Sequence, residues 1–218
     1  MISVNDVSKK PFLIVELVSL FVAVPFLLTV TVPIVFKVVL VLAVLFYCVM
    51  ESKKMGILTR PVLLGIPKAS LSFAANKNMM IRILSFIVIS TIAMAILYPE
   101  RLFYVILNKP LLWLGICIFY AVFSVYPQEF LYRTYFFARY RHLVTDIRWF
   151  VLLNAIIFSF AHVIFDNALV YILTFAGGLL FAYTYSKTRC LMLVSIEHSI
   201  YGLWLYTLGI GHMLAFPG

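Results

Sequence analysis

From Pro33 to Met50 the chain carries one charged side chain, Lys37, and from Val38 to the end of that stretch every residue is apolar. About 20 such residues at 1.5 Å each match a hydrocarbon core roughly 30 Å thick. Hydrocarbon offers the backbone no water to bond with, so a segment of this kind has to close its own hydrogen bonds as a helix. The pattern recurs. Residues 12–30, 81–98, 149–165, 168–185 and 190–210 are further runs of spanning length. Residues 110–140 make a longer one, which has to tilt, protrude or kink, with Pro127 placed to do the last. The chain is therefore expected to be all-α, a polytopic membrane helix bundle of about seven transmembrane helices. The first run carries Glu16 and exceeds the h-region of a signal peptide, so it is taken as a retained span. Residues 51–77 mix apolar side chains with Lys53, Lys54, Arg60, Lys68 and Lys77 and are broken by Gly56, Pro61, Gly65 and Pro67, which suits a segment lying along the membrane surface.

Composition agrees: 65% of the residues are hydrophobic and 11% charged, against roughly 25% charged in soluble domains. The net charge of +9 does not point to nucleic acid, because it is dispersed over short loops rather than gathered on a soluble face. It reports orientation instead. With the N-terminus inside, Lys9, Lys10, Lys53, Lys54, Arg60, Lys68, Lys77, Arg82, Arg139, Arg141, Arg148, Lys187 and Arg189 fall on the cytoplasmic side, 13 of the 17 lysines and arginines. Arg101 and Lys109 fall on the other, and Lys37 and Arg133 within spans. The positive-inside rule then gives N-in/C-out. Cys48, Cys117 and Cys190 lie in or beside apolar runs without metal-ligand spacing and read as buried thiols.

Against this apolar background, Tyr126 to Arg133 (Tyr-Pro-Gln-Glu-Phe-Leu-Tyr-Arg) places a carboxylate and a guanidinium at bilayer depth. An ionised side chain there costs roughly 2.5 to 3.5 kcal/mol, so Glu129 and Arg133 have to face the protein interior. Four residues apart, they can pair on one helix face. Two later spans each carry one histidine, His162 and His198. Glu129 lies ten residues before Arg139, His162 fourteen after Arg148 and His198 nine after Arg189, so all three stand roughly 13 to 21 Å from the cytoplasmic ends of their helices. Separately, each has a plain structural reading, as an ion pair or a single interhelical hydrogen bond. Together they are expected to converge around one water-accessible cavity. Asn154, Phe158 and His162 share a helix face, and Gly177-Gly178 would let a neighbouring helix come close. Glu197 points about 100° away from His198, as a partner of the site or as half of a structural pair. His142 and His212 sit at span ends and read as interfacial.

A carboxylate and two imidazoles can activate water directly or through a metal ion, and either route serves hydrolysis. There is no His-Glu-x-x-His helix, no pair of intramembrane aspartates and no Gly-x-Ser-x-Gly serine.

Gln128-Glu129-x-x-x-Arg133, then Phe158-x-x-x-His162, then His198 in a last span resemble the CAAX-protease and bacteriocin-processing (Abi, CAAX prenyl protease 2-like) family of intramembrane proteases. The likeness divides the chain into residues 1–110, matching only as spans, and a catalytic helix bundle at 111–211. The family pattern is Glu-Glu-x-x-x-Arg, Phe-x-x-x-His and His-x-x-x-Asn. Gln128 stands here at the first glutamate and Gly202 at the asparagine. The resemblance implies an endopeptidase that cleaves a membrane-associated or prenylated protein or peptide, with Glu129, His162 and His198 catalytic. Gln128, Arg133, Asn154, Phe158, Tyr201 and Gly202 support them, and Asn154, Tyr201 or Gln128 could supply the oxyanion donor that position 202 lacks. No tightly bound metal is expected, although Glu129, His162 and His198 are also a donor set that zinc accepts. The expected partners are membrane lipid and a peptide or membrane-protein substrate, not nucleic acid, and the expected location is a bacterial cell membrane. Gln128 and Gly202 keep a second reading open, a non-catalytic immunity, scaffold or binding protein using the same cavity. A transporter fits less well, because no internal repeat is visible. A reporter fused after Gly218 is expected on the non-cytoplasmic face; its labelling from the cytoplasm would overturn the span count.

Overall fold

The computed structural model describes residues 4–74 and 77–211, and all regular structure among them is helical. Besides the short helix Tyr104–Asn108, the helices in chain order are α1, whose apolar part is Lys10–Leu27, α2 (Ile34–Lys54), the short α3 (Arg60–Leu64) and α4 (Lys68–Ala74), α5 (Lys77–Leu97), the long α6 (Pro110–Leu143), α7 (Ile147–Phe160), α8 (Ala168–Thr188) and α9 (Leu191–Thr207). A tight turn, Val163–Phe165, prolongs α7. Among the described residues six helices are long and apolar enough to cross a membrane: α1, α2, α5, α6, α7 with its turn, and α8. The chain is an all-helical polytopic membrane protein. The seventh expected span is the 17-residue α9. His212 and the C-terminus lie outside the described residues. His142 is exposed in the turn Arg141–Leu143.

The outward faces are apolar because their solvent is lipid: α2 exposes Phe36, Val39, Leu42 and Phe46. At residues 51–77 the chain finishes α2 and then makes α3 and α4, each too short to cross. Thr59 caps α3, its hydroxyl accepting from the Val62 amide at 3.4 Å. Asp146 caps α7, accepting from the Arg148 amide at 2.8 Å. The Arg148 guanidinium bonded to the same carboxylate holds its pKa below the usual range.

Two prolines loosen their helices in the same manner. Pro25 cannot donate to the Phe21 carbonyl, and Phe21 lies in a widened π turn, Ser19–Ala23. Pro127 cannot donate to that of Phe123, within the π turn Tyr120–Val125. A second π turn, Phe130–Tyr135, follows.

The chain packs as two compact units that interleave in sequence, whereas the division at residue 110 is one of sequence likeness. One unit comprises Met1–Leu58 and Leu131–Tyr183. At its centre Phe21 meets Tyr132, Phe136 and Tyr140 edge-on, with centroids 5.2, 5.3 and 6.0 Å away. One turn earlier Glu16 is buried, and four donors compensate it: the Tyr135 and Tyr140 hydroxyls at 2.5 and 2.9 Å and Arg139 Nη2 and Nε at 2.7 and 3.1 Å. The charge that argued against a cleaved signal is thus a packing element. Of the glycine pair on α8, Gly178 makes the close approach, since a Cβ there would stand 3.1 Å from Ala155 Cα, whereas at Gly177 it would meet only the Phe181 ring.

The other unit comprises Thr59–Phe130 and Thr184–Gly218. α9 is tied to α5 by Arg82 on Glu197 (3.5 Å) and by Trp204 Nε1 on Ser90 Oγ (3.2 Å), and to α6 by Trp113 Nε1 on Thr207 Oγ1 (2.9 Å). Tyr126 donates to the Leu63 carbonyl at 3.0 Å and anchors α3. Of the two roles open to Glu197, the pairing with Arg82 is the structural one.

Gly178→Val is expected to cost about 1 to 3 kcal/mol, because the Ala155 backbone cannot yield. Gly115→Ala, whose Cβ meets nothing within 4 Å, should leave the midpoint of thermal unfolding in detergent unchanged or raised.

Candidate active site

Glu129 ends the segment Tyr126–Glu129 of α6 and has no exposed surface. A carboxylate in that position needs donors, and His198 of α9 supplies one, its Nδ1 2.8 Å from Glu129 Oε1. The other edge of the same imidazole meets Tyr120, whose hydroxyl is 3.2 Å from Nε2. Tyr120, Glu129 and His198 therefore form one hydrogen-bonded chain across α6 and α9, with His198 7% and Tyr120 8% exposed. Gly202, one turn after His198, is required by the same packing. A Cβ there would run into the Tyr120 hydroxyl and ring.

Gln128 is partly buried and its amide donates to Ser124 Oγ at 2.9 Å along the same helix. Tyr201 is buried with its ring edge-on to Phe86, 4.8 Å between centroids. Beside this chain α6 and α9 border an apolar groove of about 530 Å³, lined by Ala121, Val122, Tyr126, Ser195, Ile196, Ser199 and neighbouring residues.

The remaining motif residues belong to the other unit. Arg133 is wholly buried; its Nη1 donates to Asn154 Oδ1 and its guanidinium lies over the Phe158 ring, 4.8 Å from the centroid. Asn154 in turn donates to the Tyr132 carbonyl at 2.7 Å. His162 Nδ1 donates to the Phe158 carbonyl at 2.8 Å, and its ring stands 5.0 Å from that of Phe158. The shared face of Asn154, Phe158 and His162 thus has a mechanical reason: the first two hold Arg133, and the second also orients His162. Glu129 has His198 as a partner within its own unit, and Arg133 has Asn154 within its own. Asn154, considered as an oxyanion donor, is engaged in holding Arg133. Among the described residues no three His, Cys, Asp or Glu side chains group so as to hold a metal ion.

Tyr120 was not among the candidates from sequence. Nine residues before Glu129 on a straight α-helix, it would point about 180° away. The π turn Tyr120–Val125 winds more slowly, and both side chains reach His198. The available signal was a tyrosine within an apolar run, whose hydroxyl needs a partner when buried.

Residues 108–204 match the family model described as type II CAAX prenyl endopeptidase Rce1-like. The segment is similar to that family. The match takes in Tyr120, Glu129, His162 and His198. Its members are membrane endopeptidases, and the six helices make this chain an integral membrane protein. No curated protein matches the chain at a significant level, and neither does any solved structure.

Asn154→Leu is expected to lose about 1.5 to 3 kcal/mol, the usual worth of a hydrogen bond to a charged group, because the buried Arg133 guanidinium loses an acceptor. Thermal unfolding in detergent reads it.

Proposed function

We propose that the chain is an intramembrane endopeptidase that hydrolyses a peptide bond in a membrane-associated or prenylated protein or peptide, with Glu129 and His198 activating the water. The observation that carries this is the buried 2.8 Å contact between His198 Nδ1 and Glu129 Oε1 within the matched segment. An ionised carboxylate only accepts, so Nδ1 carries the proton and Oε1 is occupied by it. Oε2 then takes a proton from water as its oxygen attacks the carbonyl carbon. The same proton passes to the leaving nitrogen when the C–N bond breaks, and Glu129 returns to its starting state. His162 enters the scheme by its place in the Phe-x-x-x-His motif, as a donor to the developing oxyanion. Because Glu129 has no exposed surface, water has to be admitted with the substrate. The apolar groove on α6 and α9 suits a substrate presented from the lipid phase. The scheme needs no resident metal, and a bacterial cell membrane is the proposed location.

Gln128, an amide where the family has a second carboxylate, favours the alternative of a catalytically inactive binding, immunity or scaffold protein. One experiment separates the two. Purified protein in lipid nanodiscs is offered a library of membrane-anchored and prenylated peptides, with and without chelator. Cleavage by the wild type that falls about 10² to 10⁴-fold in Glu129→Gln and His198→Ala, while His142→Ala and Cys117→Ala stay active, supports the protease. Activity lost on chelation and restored by zinc would recast Glu129, His162 and His198 as ligands. A silent wild type with cleavage appearing in Gln128→Glu would make it the binding protein.

A further inference from the structure

Tyr120 and Gly202 have no part in the scheme above, yet they are packed against each other at its centre. Only a residue without a Cβ leaves room for the phenol at position 202, since any side chain there would overlap the Tyr120 hydroxyl and two of its ring carbons. The hydroxyl admitted by that gap stands 3.2 Å from His198 Nε2, on the opposite edge of the ring from Glu129. With Nδ1–H committed to the carboxylate, a neutral imidazole presents Nε2 as an acceptor. The phenol is a donor, so the two requirements are complementary.

We propose that Tyr120 is a positioning residue that acts through His198: its hydroxyl donates to Nε2, holds the imidazole neutral with its proton on Nδ1, and so keeps that N–H directed at Glu129. Gly202 is the other half of the device. The asparagine of the family pattern and the tyrosine cannot occupy the same space, and here the phenol has it. The π turn Tyr120–Val125 turns the phenol toward α9. For catalysis the inference rests on the proposed protease function, but the hydrogen-bonded chain does not.

The test therefore has two arms. In the first, protein labelled with ¹⁵N-histidine is examined by NMR in micelles at neutral pH, with His198→Gln used to assign the His198 signals. The wild type is expected to show a single neutral tautomer protonated at Nδ1, with Nε2 shifted by an accepted hydrogen bond. Tyr120→Phe, which keeps the ring, and Gly202→Ala, which displaces it, should each remove that shift and mix the tautomers, and the double variant should go no further than either. His198 signals unchanged in Tyr120→Phe would overturn the proposal, as would effects of the two substitutions that simply add. In the second arm the same variants are assayed on a peptide the wild type cleaves. The expected result is kcat reduced about ten-fold, the worth of roughly one neutral hydrogen bond, with KM unchanged. A rise in KM at constant kcat would place Tyr120 against the substrate and overturn its role through His198. A wild type that cleaves nothing removes the protease reading alone, and the NMR arm still decides the assignment of Tyr120.

Discussion

A carboxylate with no exposed surface inside a membrane helix bundle has to be met by donors, and what meets it dictates which helix stands beside it. Glu129 is met by His198, which brings the last helix against α6. Everything close to that bond follows from it. His198 has a second ring nitrogen, Tyr120 meets that one, and Gly202 exists to let it. α9 is braced on either side by Arg82 on Glu197 and by Trp113 on Thr207, so the histidine is held by more than its own hydrogen bonds.

The first unit obeys the same constraint with different chemistry. Glu16 collects two phenols and an arginine, and Arg133 collects an amide oxygen and an aromatic face. Neither charge has been traded for an apolar side chain, although a buried pair rarely adds net stability over well-packed hydrocarbon. Their effect is to specify contacts. Among helices whose outer faces are nearly uniform in Val, Leu, Ile and Phe, a few directional bonds distinguish one packing register from another.

Backbone irregularity carries part of the same work. Pro25 and Pro127 each deprive a carbonyl of its donor, and each is preceded by a π turn that redistributes the loss. Such a turn also rotates the side chains before it relative to those after it. For α6 that rotation lets Tyr120 and Glu129, on opposite faces of a straight helix, share one imidazole.

The sequence by itself determined the long helices, because length and apolarity in hydrocarbon leave the backbone no alternative, and the prolines mark where runs break or bend. It also picked out Glu129 and His198, since polar groups at bilayer depth are expensive and stand out against apolar neighbours. What it could not supply was the assignment of partners. Spacing of four put Arg133 and Glu129 on one helix face, but bonds to other helices depend on positions set by the fold, which add Asn154 to Arg133 and His198 to Glu129. Gly178 rather than Gly177 became the contact for the same reason, since only the Ala155 backbone decides which face is crowded. Tyr120 was hidden most completely: its place at the site depends on a π turn, and a departure from 3.6 residues per turn exists only in the folded helix, where tertiary packing compensates the hydrogen bonds it loosens.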